Sequence, residues 1–161
     1  MGRVKAGLSI RSPAAMRRLG ACLGALLEKG DFVGLVGELG AGKTVLARGI
    51  AEGAGVPESE VASPSFAIVY PYRGRILVHH ADLYRLADEE ELYATGFFDL
   101  LGQGAMVVEW AERIPAALPR QRLIVRIERA GERGRRVRLE PEGPRHEALA
   151  RQLEQSFQQG R

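Results

Sequence analysis

Between Ser12 and Gly30 apolar residues return every three or four positions, so that Met16, Leu19, Leu23, Leu26 and Leu27 share one side of a helical wheel. Ser12 followed by Pro13 supplies an N-cap and a residue already at helical φ. The pattern therefore predicts an amphipathic helix of about four to five turns starting there. The next apolar run, Phe32 to Val36, does not alternate, which suits a strand covered on both faces, as in a parallel sheet. A glycine-rich loop separates it from a second helix at about 43–54. Two β-rich runs, 67–72 and 75–78, flank Arg73-Gly74 and predict a hairpin, hence a mixed sheet. Asp88 with Glu91 three residues later predicts a capped short helix to about Tyr93, and residues 96–102 a turn with a short helix. Ala105 to Trp110 reads as a further buried strand. Segments 123–127 and 136–139 read as a second hairpin around Gly131 and Gly134, and about 145–157 as a closing helix.

Composition narrows what such a chain can be. With 161 residues, one domain over 1–161 is expected, with the hairpin and helix beyond about 120 forming part of it. No apolar run nears the ~20 residues of a membrane span, and the first residues lead into no signal-like core, so no membrane association and a cytosolic location are expected. Cys22 is the only cysteine, which excludes an intramolecular disulfide and a cysteine-rich metal site; its neighbours Leu19, Leu23 and Leu26 predict a small core hydrophobe. The net charge of +3 conceals an asymmetry. Residues 1–119 carry 12 basic against 14 acidic side chains, and residues 120–161 carry 11 against 6. Any basic surface thus lies at the carboxyl end, where a charge run of this size is usually a solvated face and only secondarily a nucleic-acid contact.

The candidate chemistry starts at "GELGAGKT", residues 37–44, between the strand and the second helix. Gly37, Gly40 and Gly42 let the backbone turn tightly enough for the amides of Glu38, Leu39, Gly40, Ala41, Gly42, Lys43 and Thr44 to face a phosphate. Lys43 adds a charge in reach of β- and γ-phosphates, the Thr44 hydroxyl can ligate Mg²⁺, and the helix starting here adds its positive end. The plain alternative is a glycine-rich turn with an idle lysine. An acid must accompany the metal, and two strands end in one: 106–109 in Glu109 and 76–82 in Asp82. Either can meet Mg²⁺ while the other orients the attacking water, or either can simply pair with Arg85 or Arg113. His80 and Asp82 share a strand face, which admits a transition-metal reading, but His80 orienting Asp82 or filling a hydrogen bond is the simpler one. Ser63 and Ser65 bracket Pro64 where a loop can sense the γ-phosphate, or where Ser-Pro is ordinary turn chemistry. Trp110 should face away from Glu109 if the strand continues, which predicts a core side chain or, second to that, a partner-facing aromatic.

"GELGAGKT", "SPSF" at 63–66, "HADLYRL" at 80–86 and "VVEWAERI" at 107–114 occur in the order and spacing of the TsaE family, which they resemble over about residues 10–140. The family consists of bacterial P-loop ATPases required for threonylcarbamoyladenosine formation on tRNA. The resemblance implies an α/β P-loop NTPase-like fold with a mixed, mostly parallel central sheet flanked by helices. It implies weak, Mg²⁺-dependent ATP hydrolysis, ATP and Mg²⁺ as cofactors, and TsaD and TsaB as partners through which tRNA is reached indirectly. By the same likeness Lys43 and Thr44 hold phosphates and Mg²⁺, Asp82 and Glu109 are the essential acids, residues 63–66 resemble a switch-like loop, and Trp110 matches the family tryptophan. Ser65 stands where the family usually has threonine, and Val45 where a second threonine commonly follows the loop. A small-molecule kinase built on the same loop is the main alternative. A GTPase is disfavoured, because the chain contains no asparagine for a guanine-reading N-K-x-D.

Overall fold

The computed structural model describes residues 7–61 and 68–160, and the expectations for Ser63 and Ser65 lie outside them. Among the described residues seven strands form one sheet: β1 (Leu8–Ile10), β2 (Phe32–Val36), β3 (Val69–Arg73), β4 (Leu77–Asp82), β5 (Ala105–Glu109), β6 (Arg122–Ala130) and β7 (Gly134–Glu142). Their spatial order is β1-β7-β6-β2-β5-β4-β3. The centre is parallel, with β2 between β6 and β5 and β4 beyond β5. Antiparallel hairpins close both sides, β3 on β4 and β6 on β7, and β1 lies antiparallel on β7. The α/β fold with a mixed, mostly parallel centre is as the sequence predicts, and the hairpin beyond residue 120 joins the same sheet. β1, three residues with no periodicity to announce them, is not predicted.

Among the described residues five α-helices flank the sheet: α1 (Pro13–Leu26), α2 (Lys43–Gly53), α3 (Glu89–Ala94), α4 (Phe97–Leu100) and α5 (Pro144–Gln159). Ser12 caps α1 by accepting from Ala15 N, and Asp88 caps α3 by accepting from Glu91 N, as their spacing predicts. α1, α2 and α5 cover one face of the sheet, burying Leu19, Leu23, Leu46, Ile50, Leu149 and Leu153 against the alternate residues Val33, Leu35, Val107 and Val125. Cys22 packs at the edge of this core. The other face buries Phe32, Met106 and Val108 under Leu92, Phe97 and Ile114. Covering both faces is why β2 and β5 read as unbroken apolar runs.

α1 and α2 meet backbone to backbone. A Cβ at Gly20 or Gly24 would strike the carbonyls of Leu46 and Ile50, and one at Gly49 or Gly53 those of Arg17 and Ala21. The close approach seats α2, and with it the loop at its amino end, firmly on the sheet. Among the described residues no helix is long and apolar enough to cross a membrane.

Candidate functional site

The loop leaving β2 turns back under α2 through two residues in the left-handed region, Gly40 (φ 79) and Gly42 (φ 117), where a side chain would be strained. Gly37 is required for a different reason: a Cβ there would lie 2.7 Å from the Ile127 carbonyl of β6. Two arginines of the β6–β7 hairpin hold the loop from behind. Arg135 donates from Nε to the Ala41 carbonyl at 3.0 Å, and both Arg135 and Arg129 approach the preceding carbonyls of Gly40 and Leu39 at 3.4 Å. The Ala41 amide donates to the Glu38 carbonyl at 3.0 Å and closes the turn, and the remaining loop amides are the ones an anion could use.

Lys43 opens α2 and is only 5% exposed. Its ammonium donates to the carbonyls of Gly37 and Glu38 and lies 3.8 Å from the centre of the Trp110 ring. Burial lowers its pKa, against the opposing pull of Glu112, Glu109, Asp82 and Glu38. Lys43 is therefore part of the folded loop as well as a group for a ligand. Thr44, next on the helix, donates its hydroxyl to Glu109 Oε1 at 3.1 Å.

Glu109 and Asp82 are register partners at the carboxyl ends of β5 and β4. Glu109 is 3% exposed, and its second oxygen takes a hydrogen bond from His80 Nε2 at 2.7 Å. His80 thus serves Glu109 rather than Asp82. Asp82 is half-buried and, among the described residues, accepts only from Tyr84 N, at 3.0 Å. Its pKa is raised, by burial above all and by Glu109 in addition, while the Tyr84 amide, His80 and Lys43 oppose the shift. Arg113 does not pair with either acid: it donates to the Leu86 carbonyl at 2.7 Å.

Trp110 departs from expectation. The chain leaves β5 at Glu109 and Trp110 takes a left-handed conformation (φ 57), the only non-glycine residue at positive φ among the described residues. The turn leaves the indole half-buried at the edge of the core and over Lys43, with the Tyr84 ring 4.9 Å away. Strain of this kind in a bulky residue persists only where surrounding contacts enforce it, and it clusters at functional sites. Tyr84 was not singled out from the sequence. Its signal was available, since it lies two residues beyond Asp82, where a strand exit brings side chains to the rim.

Leu39, Gly40, Lys43, Thr44, Asp82, Tyr84, Glu109 and Trp110 line one open cleft of about 370 Å³. A second cavity of about 180 Å³ abuts the other side of the same loop, between Ser12, Met16, Val45, Arg133 and Arg135. The cleft brings together every predicted site residue among those described except Glu38 and Ala41; Ala41 faces the second cavity and Glu38 is exposed on the loop. Among the described residues no group of three or more His, Cys, Asp or Glu side chains is arranged to hold a metal, so the transition-metal reading gains nothing. One carboxylate and one hydroxyl at a phosphate cradle do suit Mg²⁺, which keeps most of its water and takes the rest of its ligands from phosphates.

The model of the family described as "Threonylcarbamoyl adenosine biosynthesis protein TsaE" matches residues 10–137, a span holding the loop, both acids and Trp110. The chain belongs to the TsaE family. It is similar to the tRNA threonylcarbamoyladenosine biosynthesis protein TsaE of Bacillus subtilis, at 38% identity over 88% of this chain and 89% of the relative. The proteins of that name from Treponema pallidum (42% identity, 68% and 81%) and Streptomyces coelicolor (46%, 71% and 80%) are also similar. In three dimensions it resembles the crystal structure of Bacillus subtilis YdiB, with a TM-score of 0.74 at 32% identity, covering 92% of this chain and 93% of that one. TsaE membership thus joins the local motif to the whole fold.

Proposed function

We propose that the chain binds ATP with Mg²⁺ and hydrolyses it slowly by itself, as an accessory of threonylcarbamoyladenosine formation on tRNA that works with TsaD and TsaB. The observation that carries this reading is the contact between the Thr44 hydroxyl and Glu109, at the floor of a cleft that also holds the Lys43 ammonium. Amides of residues 38–44 other than Ala41, whose N–H donates to the Glu38 carbonyl, bind the phosphates, and Lys43 exchanges its loop carbonyls for phosphate oxygens. Thr44 and Glu109 are the residues that would hold the metal. Mg²⁺ there supplies charge neutralisation at the transferring phosphoryl group. Asp82, which lines the cleft and has a raised pKa, accepts a proton from the attacking water. The cavity behind the loop offers the base an apolar wall at Met16 and Val45.

The two hairpin arginines nearest the loop brace its carbonyl side, which argues against a lid that would make this site a kinase. With no arginine assigned to the transferring group, a partner is expected to supply or order one, an effect of about 10³ to 10⁵ in turnover. Steady-state phosphate release at saturating ATP and Mg²⁺, with and without TsaD and TsaB, tests the reading. Slow release alone and a marked increase with the partners is the expected result. Fast release by the lone chain, or no response to the partners, rejects partner activation, and phosphate appearing on an added alcohol favours the kinase.

A further inference from the structure

A chain of buried hydrogen bonds runs across three adjacent strands behind the cleft. Tyr72 of β3, 3% exposed, places its hydroxyl 3.3 Å from His80 Nδ1. His80 of β4, 3% exposed, places Nε2 2.7 Å from Glu109 Oε2 on β5, and Glu109 Oε1 receives the Thr44 hydroxyl. His80 pairs in register with Val107, so Glu109 is its diagonal neighbour on the face that α2 covers. A carboxylate only accepts, so Nε2 must carry the imidazole proton. In the neutral ring Nδ1 is then an acceptor, and the Tyr72 hydroxyl donates to it. Each group fixes the next: the phenol selects the tautomer, the tautomer holds one carboxylate oxygen, and the other oxygen is left pointing at the loop hydroxyl.

We propose that His80, set by Tyr72, is a positioning residue that orients the Glu109 carboxylate for the metal–nucleotide complex by donating to it from Nε2. The proposal rests on the reading of Thr44 and Glu109 as the metal-holding pair. Partners that orient a metal-binding group are worth about 10- to 100-fold in metal affinity or activity when lost. A histidine that merely filled space would be replaceable by a leucine of similar bulk. A positioning histidine is not, because that change leaves a buried carboxylate oxygen without its donor.

Three measurements on the full chain test this. Two-bond ¹H–¹⁵N correlation spectra of the nucleotide-free protein at pH 8 should show His80 as the Nε2–H tautomer, and Tyr72→Phe should mix the tautomers; an Nδ1–H ring in the wild type overturns the proposal. Mn²⁺ titrated in the presence of ADP and followed by electron paramagnetic resonance should bind His80→Leu about 10- to 100-fold more weakly than wild type, while metal-free ADP affinity stays within about twofold. His80→Gln, which restores a donor near the Nε2 position, should recover most of the loss. Equal weakening of ADP with and without metal, or wild-type Mn²⁺ binding by His80→Leu, overturns it. If His80→Leu does not fold, His80→Gln and Tyr72→Phe carry the test. A wild-type chain that binds neither ADP nor Mn²⁺ refutes the nucleotide reading, and the positioning role with it. A wild type that binds both, beside an indifferent His80→Leu, refutes the positioning role alone.

Discussion

Two acids at opposite ends of the strands, Asp31 buried and Asp82 half-buried, have opposite surroundings. Asp31, at the amino end of β2 and 2% exposed, receives Arg145 Nε at 3.0 Å, Arg145 Nη2 at 2.8 Å and the Glu28 amide at 2.8 Å. His146 seals the same corner by accepting from Phe32 N at 3.1 Å. Asp82, at the carboxyl end of β4, has one amide, a neighbouring Glu109 and an open cleft. A carboxylate whose acceptor sites are filled by protein donors ties elements together. One left short of donors keeps lone pairs for a ligand, and its raised pKa records what that costs the fold. Stability and chemistry are thus sorted to the two ends of the same strands.

The largest effect should come from Lys43→Ala. If the ammonium makes a charge-assisted phosphate contact of about 2–3 kcal/mol, ATP affinity should fall about 30- to 150-fold by calorimetry. Since the ammonium also bridges the Gly37 and Glu38 carbonyls beneath Trp110, the variant should lose thermal stability too. That loss was not expected from the sequence, where the lysine reads as a group for the ligand only. Unchanged affinity would remove the phosphate role.

Asp82→Asn should lower phosphate release about 10²-fold or more while Tm rises. The sign follows from linkage: a carboxyl whose pKa is raised by folding destabilises the fold as pH rises through its folded pKa, and asparagine has no such charge to bury. A fall in Tm with activity retained would place Asp82 among the structural acids. Asp31→Ala should do the reverse. It leaves Arg145 with only the Leu26 carbonyl and the more distant Glu28, and should cost about 2–3 kcal/mol in urea unfolding, below the ~3–5 kcal/mol of a fully buried pair because the Arg145 side chain is 28% exposed. Turnover per folded molecule should be unaffected.

The smallest effect concerns pH. Burial lowers the pKa of His146, and of His79 on the other face, below that of the unfolded chain. The unfolded state then binds more protons, so stability is intact above the unfolded value of about 6.5 and falls as pH drops through it toward the lower folded pKa. Urea midpoints between pH 7.5 and 5 should show this fall, and His146→Gln should flatten part of it. A midpoint independent of pH would show that both rings protonate freely in the fold.

What could be foreseen divides along the same line. The loop, both acids and the order of the main elements are local matters, written in glycine placement, strand exits and apolar period, and they were legible. The Asp31–Arg145–His146 corner was not, because its members lie 114 residues apart and each looks ordinary in its own segment. Tyr72 was hidden for a similar reason, and His80, read as orienting Asp82 or filling a hydrogen bond, has Glu109 as its partner only once β3, β4 and β5 are in register. Trp110 misled because strand alternation was carried one residue too far, past the point where the backbone turns left-handed.

The glycine-to-glycine contact of α1 with α2 bears on how the chain reaches this state. Both helices come from the first third of the sequence, so their contact closes a short loop and can form before the distant hairpin docks. A methyl added at Gly24 would meet the Ile50 carbonyl, and if the contact belongs to the folding nucleus that change acts on the rate of folding. The expectation is a slower refolding arm for Gly24→Ala in a stopped-flow chevron. An effect confined to the unfolding arm would mean that the phosphate loop is seated late, on a sheet already built.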